Sequence, residues 1–126
     1  GPAFKRFGAL YSKADAYDPF PRAVHDFEKV DYRVDVFLKV WPEAAALRSS
    51  GKLLALGSKI RCPVVAIHGD YDPHPAEGVE APLSAVLTDF RFILLRHCGH
   101  RPWIEREAGE KFFALLEKEL DERRVS

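Results

Sequence analysis

The chain has 126 residues, of which 47% are hydrophobic and 12% aromatic, so it is large and apolar enough for one domain with a core. Nineteen acidic residues balance nineteen basic ones. This neutral balance argues against nucleic acid or an anionic membrane as a partner, and it favours self-association. No apolar run is long enough to cross a bilayer and no signal peptide is recognisable, so we expect a cytoplasmic location.

The first residues predict a tag remnant followed by a helix. Gly1-Pro2 is a pair that commonly remains when an affinity tag is cleaved, so residues 1–2 are expected to be such a scar. Apolar residues recur at helical spacing over residues 3–15, which predicts an amphipathic helix. Two prolines within residues 17–21 predict a rigid loop after it.

A second helix is predicted from Tyr32 onward, because apolar residues again share one face. Pro42 should interrupt or restart this helix, and Gly51 should close it. We therefore assign residues 3–51 to one helical segment.

Two short apolar runs predict a pair of parallel strands. Val64 to Ile67 and Phe92 to Leu95 are too short for helices and lack a one-sided alternation, so they should be strands covered on both faces. Ala76 to Leu87 fits one helix between them, which makes a strand, helix, strand crossover. Residues 52–60 predict a short helix that leads into the first strand. The fold class is α/β, with a short parallel strand pair flanked by helices.

The last helix is predicted to begin at Pro102, a residue type that suits a first helical turn. Its buried stripe should recur at every fourth position, at Ile104, Ala108, Phe112, Leu116 and Leu120. Residues 52–120 thus form the second segment, and the charged residues 121–126 are expected to fray.

Polar residues follow both predicted strands. Gly69-Asp70-Tyr71-Asp72 comes after the first strand, and Cys98-Gly99-His100 comes after the second. Loops that follow parallel strands open at the same edge of a sheet, so Asp72 and His100 should face one another across a short gap. Asp70 also follows the first strand, so it competes with Asp72 as the carboxylate that faces His100.

These loops carry a family resemblance. Gly69-x-x-Asp72 and Gly99-His100-x-Pro102-Trp103 resemble the acid loop and the histidine loop of α/β hydrolases. The resemblance implies that Asp72 is the triad acid, which orients the imidazole, and that His100 is the general base. The spacing from Gly69 in that family favours Asp72 over Asp70.

The resemblance covers roughly residues 52–120 and also bears on the preceding segment. In the resembled family a helical cap precedes the acid strand, which implies that residues 3–51 are part of a cap. An ordinary helical layer packed on the sheet is the alternative interpretation of the same residues.

The nucleophile of that family precedes the acid, on a Gly-x-Ser-x-Gly turn. No serine or cysteine of this chain has glycines two residues away on both sides, and the oxyanion hole has no counterpart either. The resemblance therefore implies the carboxyl-terminal part of a serine hydrolase for ester or acyl bonds, inactive on its own and without a cofactor. A second copy or an amino-terminal hydrolase fragment should complete its two-stranded sheet, and a small acyl compound would be its substrate.

Two other functions remain open from the sequence. The first is a noncatalytic module whose hydrolase-like loops bind a ligand or assemble with another copy. The second is a divalent metal site, since four residue types that ligate metals alternate in His68-x-Asp70-x-Asp72-x-His74. Gly69 and Pro73 within this stretch, and Pro75 directly after it, should prevent the extended strand that would place all four on one face.

The two cysteines are expected to be buried free thiols. Cys62 precedes the first strand and Cys98 follows the second. They should lie at opposite ends of neighbouring parallel strands, too far apart for a disulfide.

Overall fold

A computed structural model describes residues 2–25 and 33–122 of the chain. The strands are β1 (Val64–Gly69) and β2 (Phe90–Leu95). The helices are α1 (Pro2–Ala14), α2 (Pro21–His25), α3 (Val34–Ser49), α4 (Lys52–Ala55), α5 (Glu77–Val86) and α6 (Ala108–Glu122). Short 3₁₀ turns occupy Leu56–Lys59 and Pro102–Ile104.

The two strands form one parallel sheet, joined by α5 as the crossover. The N–H of Val64 donates to the carbonyl of Asp89, and the N–H of Asp70 donates to the carbonyl of Leu95. The same offset at both ends of the pair is the register of parallel strands. The predicted α/β class, a parallel strand pair flanked by helices, is confirmed.

The chain divides into two compact units. The first contains the described parts of residues 1–29, 67–76 and 93–126, and the second contains those of residues 30–66 and 77–92. The core of the first unit is small: Leu95, Cys98 and Ala108 are buried, and the partly buried side chains of Ile67, Phe112 and Leu115 pack against them.

In the second unit, α4 packs against α3 and α5. A Cβ atom on Gly57 would press on the side chain of Val86, so glycine permits this close approach. None of the residues of α3 is buried, although this helix carries Phe37, Leu38 and Trp41. Every residue of α3 therefore keeps some contact with solvent.

The predicted helix boundaries are confirmed in part. The helix expected over residues 3–15 is α1, whereas the start expected at Tyr32 lies outside the described residues. The interruption expected at Pro42 is wrong, because α3 runs through this proline and accommodates one missing main-chain donor. Gly51 adopts a left-handed φ of 72° after the helix ends, as a closing glycine should.

The last helix begins later than predicted. Glu105 has an extended backbone and forms an isolated antiparallel bridge with Pro19, so the helix cannot run on from Pro102 and starts at Ala108. Leu116 and Leu120 are exposed, which corrects the predicted stripe. The buried side continues instead through Leu115 and Glu119. Alternating steps of four and three residues stay on one face of a helix, whereas repeated steps of four drift around it.

Helix α6 includes the first two residues of the expected frayed tail. Residues 121 and 122 continue α6, and residues 123–126 of the expected frayed tail lie outside the described residues. No helix among those that the structure describes is long and apolar enough to span a membrane.

Candidate active site

The loop after β1 is attached to the loop after β2 by main-chain contacts. The N–H of Tyr71 donates to the carbonyl of Cys98 at 2.9 Å. A Cβ atom on Gly69 would collide with the carbonyl oxygens of Cys98 and Gly99, so a glycine is needed for the loops to approach this closely. The two loops together form a single edge beyond the carboxyl ends of the strands.

The loop after β2 is also held by the segment that follows α1. The N–H of His100 donates to the carbonyl of Asp15 at 2.7 Å. A Cβ atom on Gly99 would collide with this same carbonyl. His97, at the start of the loop, has a φ of 53°, a left-handed conformation that turns the chain sharply after β2. The position of His100 is therefore fixed by its main chain as well as by its side chain.

Asp72 and His100 form a short hydrogen bond. Nδ1 of His100 lies 2.7 Å from Oδ2 of Asp72. The Asp72 side chain is 5% exposed and that of His100 is 49% exposed. This places a shielded carboxylate behind an imidazole that still reaches solvent, and it confirms that the two loops bring these residues together.

Two more histidines surround the same carboxylate. Oδ1 of Asp72 accepts the main-chain N–H of His74 at 2.8 Å and lies 3.1 Å from Nδ1 of that ring. On the buried side, Nε2 of His68 lies 3.6 Å from Oδ2 of Asp72, and Nδ1 of His68 contacts the carbonyl of Gly69. The carboxylate is thus approached by three imidazoles.

The environment of Asp72 favours its ionised form. Burial by itself would raise the pKa of this carboxyl, but the hydrogen bonds from the main chain of His74 and from the rings of His100 and His74 outweigh it. The pKa of Asp72 is consequently held below its ordinary value. At neutral pH the group is an anion that can orient an imidazole and stabilise its protonated form.

Asp70, the competing acid, has a different role. Its Oδ1 accepts the main-chain N–H of Cys98 at 3.2 Å. Asp70 therefore ties the two loops together, and Asp72 is the carboxylate that lies against His100.

Glu105 also shapes the site, and sequence reasoning missed it. Its side chain is 1% exposed, although it is charged. Its carboxylate accepts three main-chain N–H groups, from Tyr17 at 2.8 Å, Asp18 at 2.7 Å and Gly99 at 3.0 Å. It thereby joins the segment after α1 to the histidine loop. The only signal in the sequence was the acidic residue type directly after the apolar triplet Pro102-Trp-Ile104. Helical periodicity assigned Glu105 to a solvent-facing position.

The four alternating metal-ligand residues do not converge as a set. Asp70 lies on the main chain of Cys98, because the chain leaves the extended conformation after Gly69. The structure instead groups Asp72, His74 and His100. Each residue offers one ligand atom, and these three atoms lie within 4.8 Å of one another. The structure thus alters the membership of the candidate metal site that the sequence indicated.

No nucleophile is paired with His100 in residues 2–25 and 33–122, since no serine or cysteine side chain there hydrogen-bonds its ring. Cys98 is fully buried and its Sγ points at the carbonyl of Gly99. Burial, together with the negative charges of Glu105, Asp70 and Asp72, raises the pKa of this thiol to about 12. Cys98 is therefore a protonated packing residue.

The cysteine prediction holds for one residue and fails for the other. Both cysteines are free thiols, as expected, and Cys98 is buried. Cys62 is exposed, which corrects the expectation of burial. The reason is that Cys62 lies in the bend before β1, outside the strand itself.

In comparisons with known proteins, no protein-family model, no curated protein and no solved structure matches the chain.

Proposed function

We propose that the chain is the carboxyl-terminal part of a serine hydrolase that cleaves ester or related acyl bonds. Asp72 is the acid of the triad and His100 is the general base. The observation that carries this proposal is the 2.7 Å hydrogen bond between Asp72 Oδ2 and His100 Nδ1, made by loops that follow two neighbouring parallel strands. This is the edge at which α/β proteins place their chemistry.

The geometry supports a definite proton path. The hydrogen bond to Asp72 holds the ring proton of His100 on Nδ1, which leaves a lone pair on Nε2. Nε2 takes a proton from an attacking hydroxyl group and then delivers it to the leaving alcohol. Asp72 remains ionised throughout, in keeping with its lowered pKa, and stabilises the imidazolium that forms between the two steps.

A segment outside residues 1–126 supplies the nucleophile in this proposal. Its support is the apolar surface that the chain leaves uncovered. Among the described residues, six hydrophobic residues are buried, whereas twenty-two large hydrophobic side chains are exposed. Surfaces of this kind mark sites of protein association. We propose an amino-terminal hydrolase fragment, or a second copy of the chain, as the covering partner.

Complementation tests the proposal. The chain is mixed with an α/β-hydrolase fragment that ends after its nucleophile turn, and hydrolysis of a p-nitrophenyl ester is followed alongside the mass of the complex. We expect turnover that neither part shows alone, lost with His100→Gln and strongly reduced with Asp72→Asn. His74→Gln, which changes an exposed neighbour of the same carboxylate, should retain turnover. Demonstrated complex formation without any gain in turnover would contradict the proposal.

A noncatalytic, self-assembling module is the second candidate, and α3 is the observation that favours it. This helix is apolar on several sides and has no buried residue. A chain that associates through α3 would form a dimer. Its loops would have no catalytic task, so no nucleophile would be required. Light scattering after size exclusion separates the cases: a dimer that persists when the hydrolase fragment is present would favour self-assembly, and its replacement by a mixed complex would favour the hydrolase.

A further inference from the structure

His74 neither gives nor takes a proton in the proposed acid–base mechanism, yet its ring also lies against Asp72. Its Nδ1 lies 3.1 Å from Oδ1 of Asp72, while Nδ1 of His100 lies 2.7 Å from Oδ2. The two rings are tilted by 43° with their centroids 5.2 Å apart. Each oxygen of the Asp72 carboxylate therefore faces the Nδ1 atom of a different histidine.

The position of His74 is set by its backbone. Prolines precede and follow it, which restricts the main chain on both sides. Its N–H is bound to the same carboxylate that its ring contacts. Its side chain is 69% exposed, so a solute can enter from solvent without displacing packed residues. The site combines a fixed loop with an open approach.

We propose that Asp72, His74 and His100 bind a divalent transition-metal ion of the zinc type. Two imidazole nitrogens and one carboxylate oxygen form a donor set suited to Zn²⁺, Co²⁺ or Ni²⁺, whereas Mg²⁺ and Ca²⁺ prefer oxygen alone. Three protein ligands leave a fourth position for water or another ligand. His68, behind the carboxylate at 3.6 Å, helps to fix its orientation.

The required movement is on the order of an ångström. Metal–ligand bonds of about 2.0 to 2.2 Å in a tetrahedron place neighbouring ligand atoms roughly 3.4 Å apart. The nitrogen–oxygen separations of 2.7 and 3.1 Å must therefore open by about 0.3 to 0.7 Å. The three ligand atoms lie within 4.8 Å of one another, so the widest pair must close by at most about 1.4 Å. Both rings belong to exposed side chains that can shift by this amount.

Metal binding and base catalysis exclude one another at His100. A neutral imidazole has one proton, so when Nδ1 gives its lone pair to the metal, that proton moves to Nε2. Nε2 then has no lone pair with which to accept a proton from a nucleophile. The ion therefore inhibits the acid–base pair, a consequence that rests on the proposed hydrolase function. The binding of the ion does not depend on that function.

The test is calorimetric titration of Zn²⁺ into the chelator-treated chain, together with ¹⁵N spectra of the histidine rings. We expect one ion per chain with micromolar or tighter affinity, and transfer of the ring proton from Nδ1 to Nε2 in both histidines. His74→Gln and Asp72→Asn should weaken binding by at least about tenfold. Excess Mg²⁺ should not compete.

The matched control is His97→Asn, which removes an exposed imidazole outside the cluster and suits the left-handed backbone there. It should leave the affinity for Zn²⁺ unchanged within twofold. Absence of saturable binding would overturn the metal proposal, as would binding that survives His74→Gln in a variant whose circular dichroism is native. Saturable zinc binding by a chain that shows no turnover in the complemented hydrolase even when metal-free would overturn the proposed function alone.

Discussion

Replacing Glu105 by alanine should be among the most destabilising single changes in the chain. The carboxylate is buried and accepts three main-chain N–H groups. A buried donor left without a partner costs about 1–3 kcal/mol, which applies in full to the N–H of Gly99. The donors of Tyr17 and Asp18 are partly accessible to water, so about 1 kcal/mol each is appropriate.

The sum for Glu105→Ala is a loss of about 3–5 kcal/mol in the free energy of unfolding, a large share of the 5–15 kcal/mol typical of a domain. Urea denaturation followed by circular dichroism measures it. With a slope of about 2 kcal/mol per molar, the midpoint should fall by roughly 2 M. Hydrogen exchange should show faster exchange of the Gly99 amide, which loses its acceptor.

The matched control is Glu117→Ala, on the exposed side of α6, which should change the stability by no more than about 0.5 kcal/mol. Glu105→Gln should recover part of the loss, since it fills the same space and keeps one acceptor oxygen. If Glu105→Ala were no more destabilising than Glu117→Ala, the three hydrogen bonds would not be holding the histidine loop, and this reasoning would be refuted.

The remaining predictions concern the two loops and the thiols. Gly69→Ala should lower the free energy of unfolding in urea by about 3 kcal/mol or more, because the new Cβ meets main-chain oxygens. Gly78→Ala is the control: its Cβ lies in open space within α5, so it should raise that free energy by about 0.5–1 kcal/mol. A thiol reagent should modify Cys62 alone in the native chain and also Cys98 after unfolding; fast labelling of both in the native state would contradict the burial. Because the pKa of Asp72 is lowered on folding, its ionised form stabilises the chain above about pH 4, and this contribution is lost as the pH falls through the lowered value. The stability gap between wild type and Asp72→Asn should therefore shrink as the pH falls below about 4; a gap that does not change on acidification would exclude this effect.

The strand pair and its loops could be predicted because their signals are local. Val64 to Ile67 and Phe92 to Leu95 are apolar runs of strand length bounded by turn residues, and the structure extends each only slightly. Once the strands are parallel, topology alone places Asp72 and His100 at one edge. The proximity of this pair was therefore predictable from two short stretches.

Other features depend on contacts between distant parts of the chain. Glu105 is buried because it binds residues 17 and 18, nearly ninety positions earlier, which no periodicity reports. The same residue forms the bridge with Pro19 that delays the start of α6. Likewise, His100 joins Asp72 and His74 as the third member of the candidate metal site only when the second loop folds back beside the first.

The central claim is that Asp72 holds the proton of His100 on Nδ1, so that Nε2 is free to act as a base. Ring ¹⁵N chemical shifts of the chelator-treated chain, recorded at a pH where the imidazole is neutral, test this most directly. The account predicts a protonated Nδ1 and a lone pair on Nε2 in the wild type, and a change of this tautomer in Asp72→Asn. A neutral His100 with its proton on Nε2 in the metal-free wild type would contradict the account.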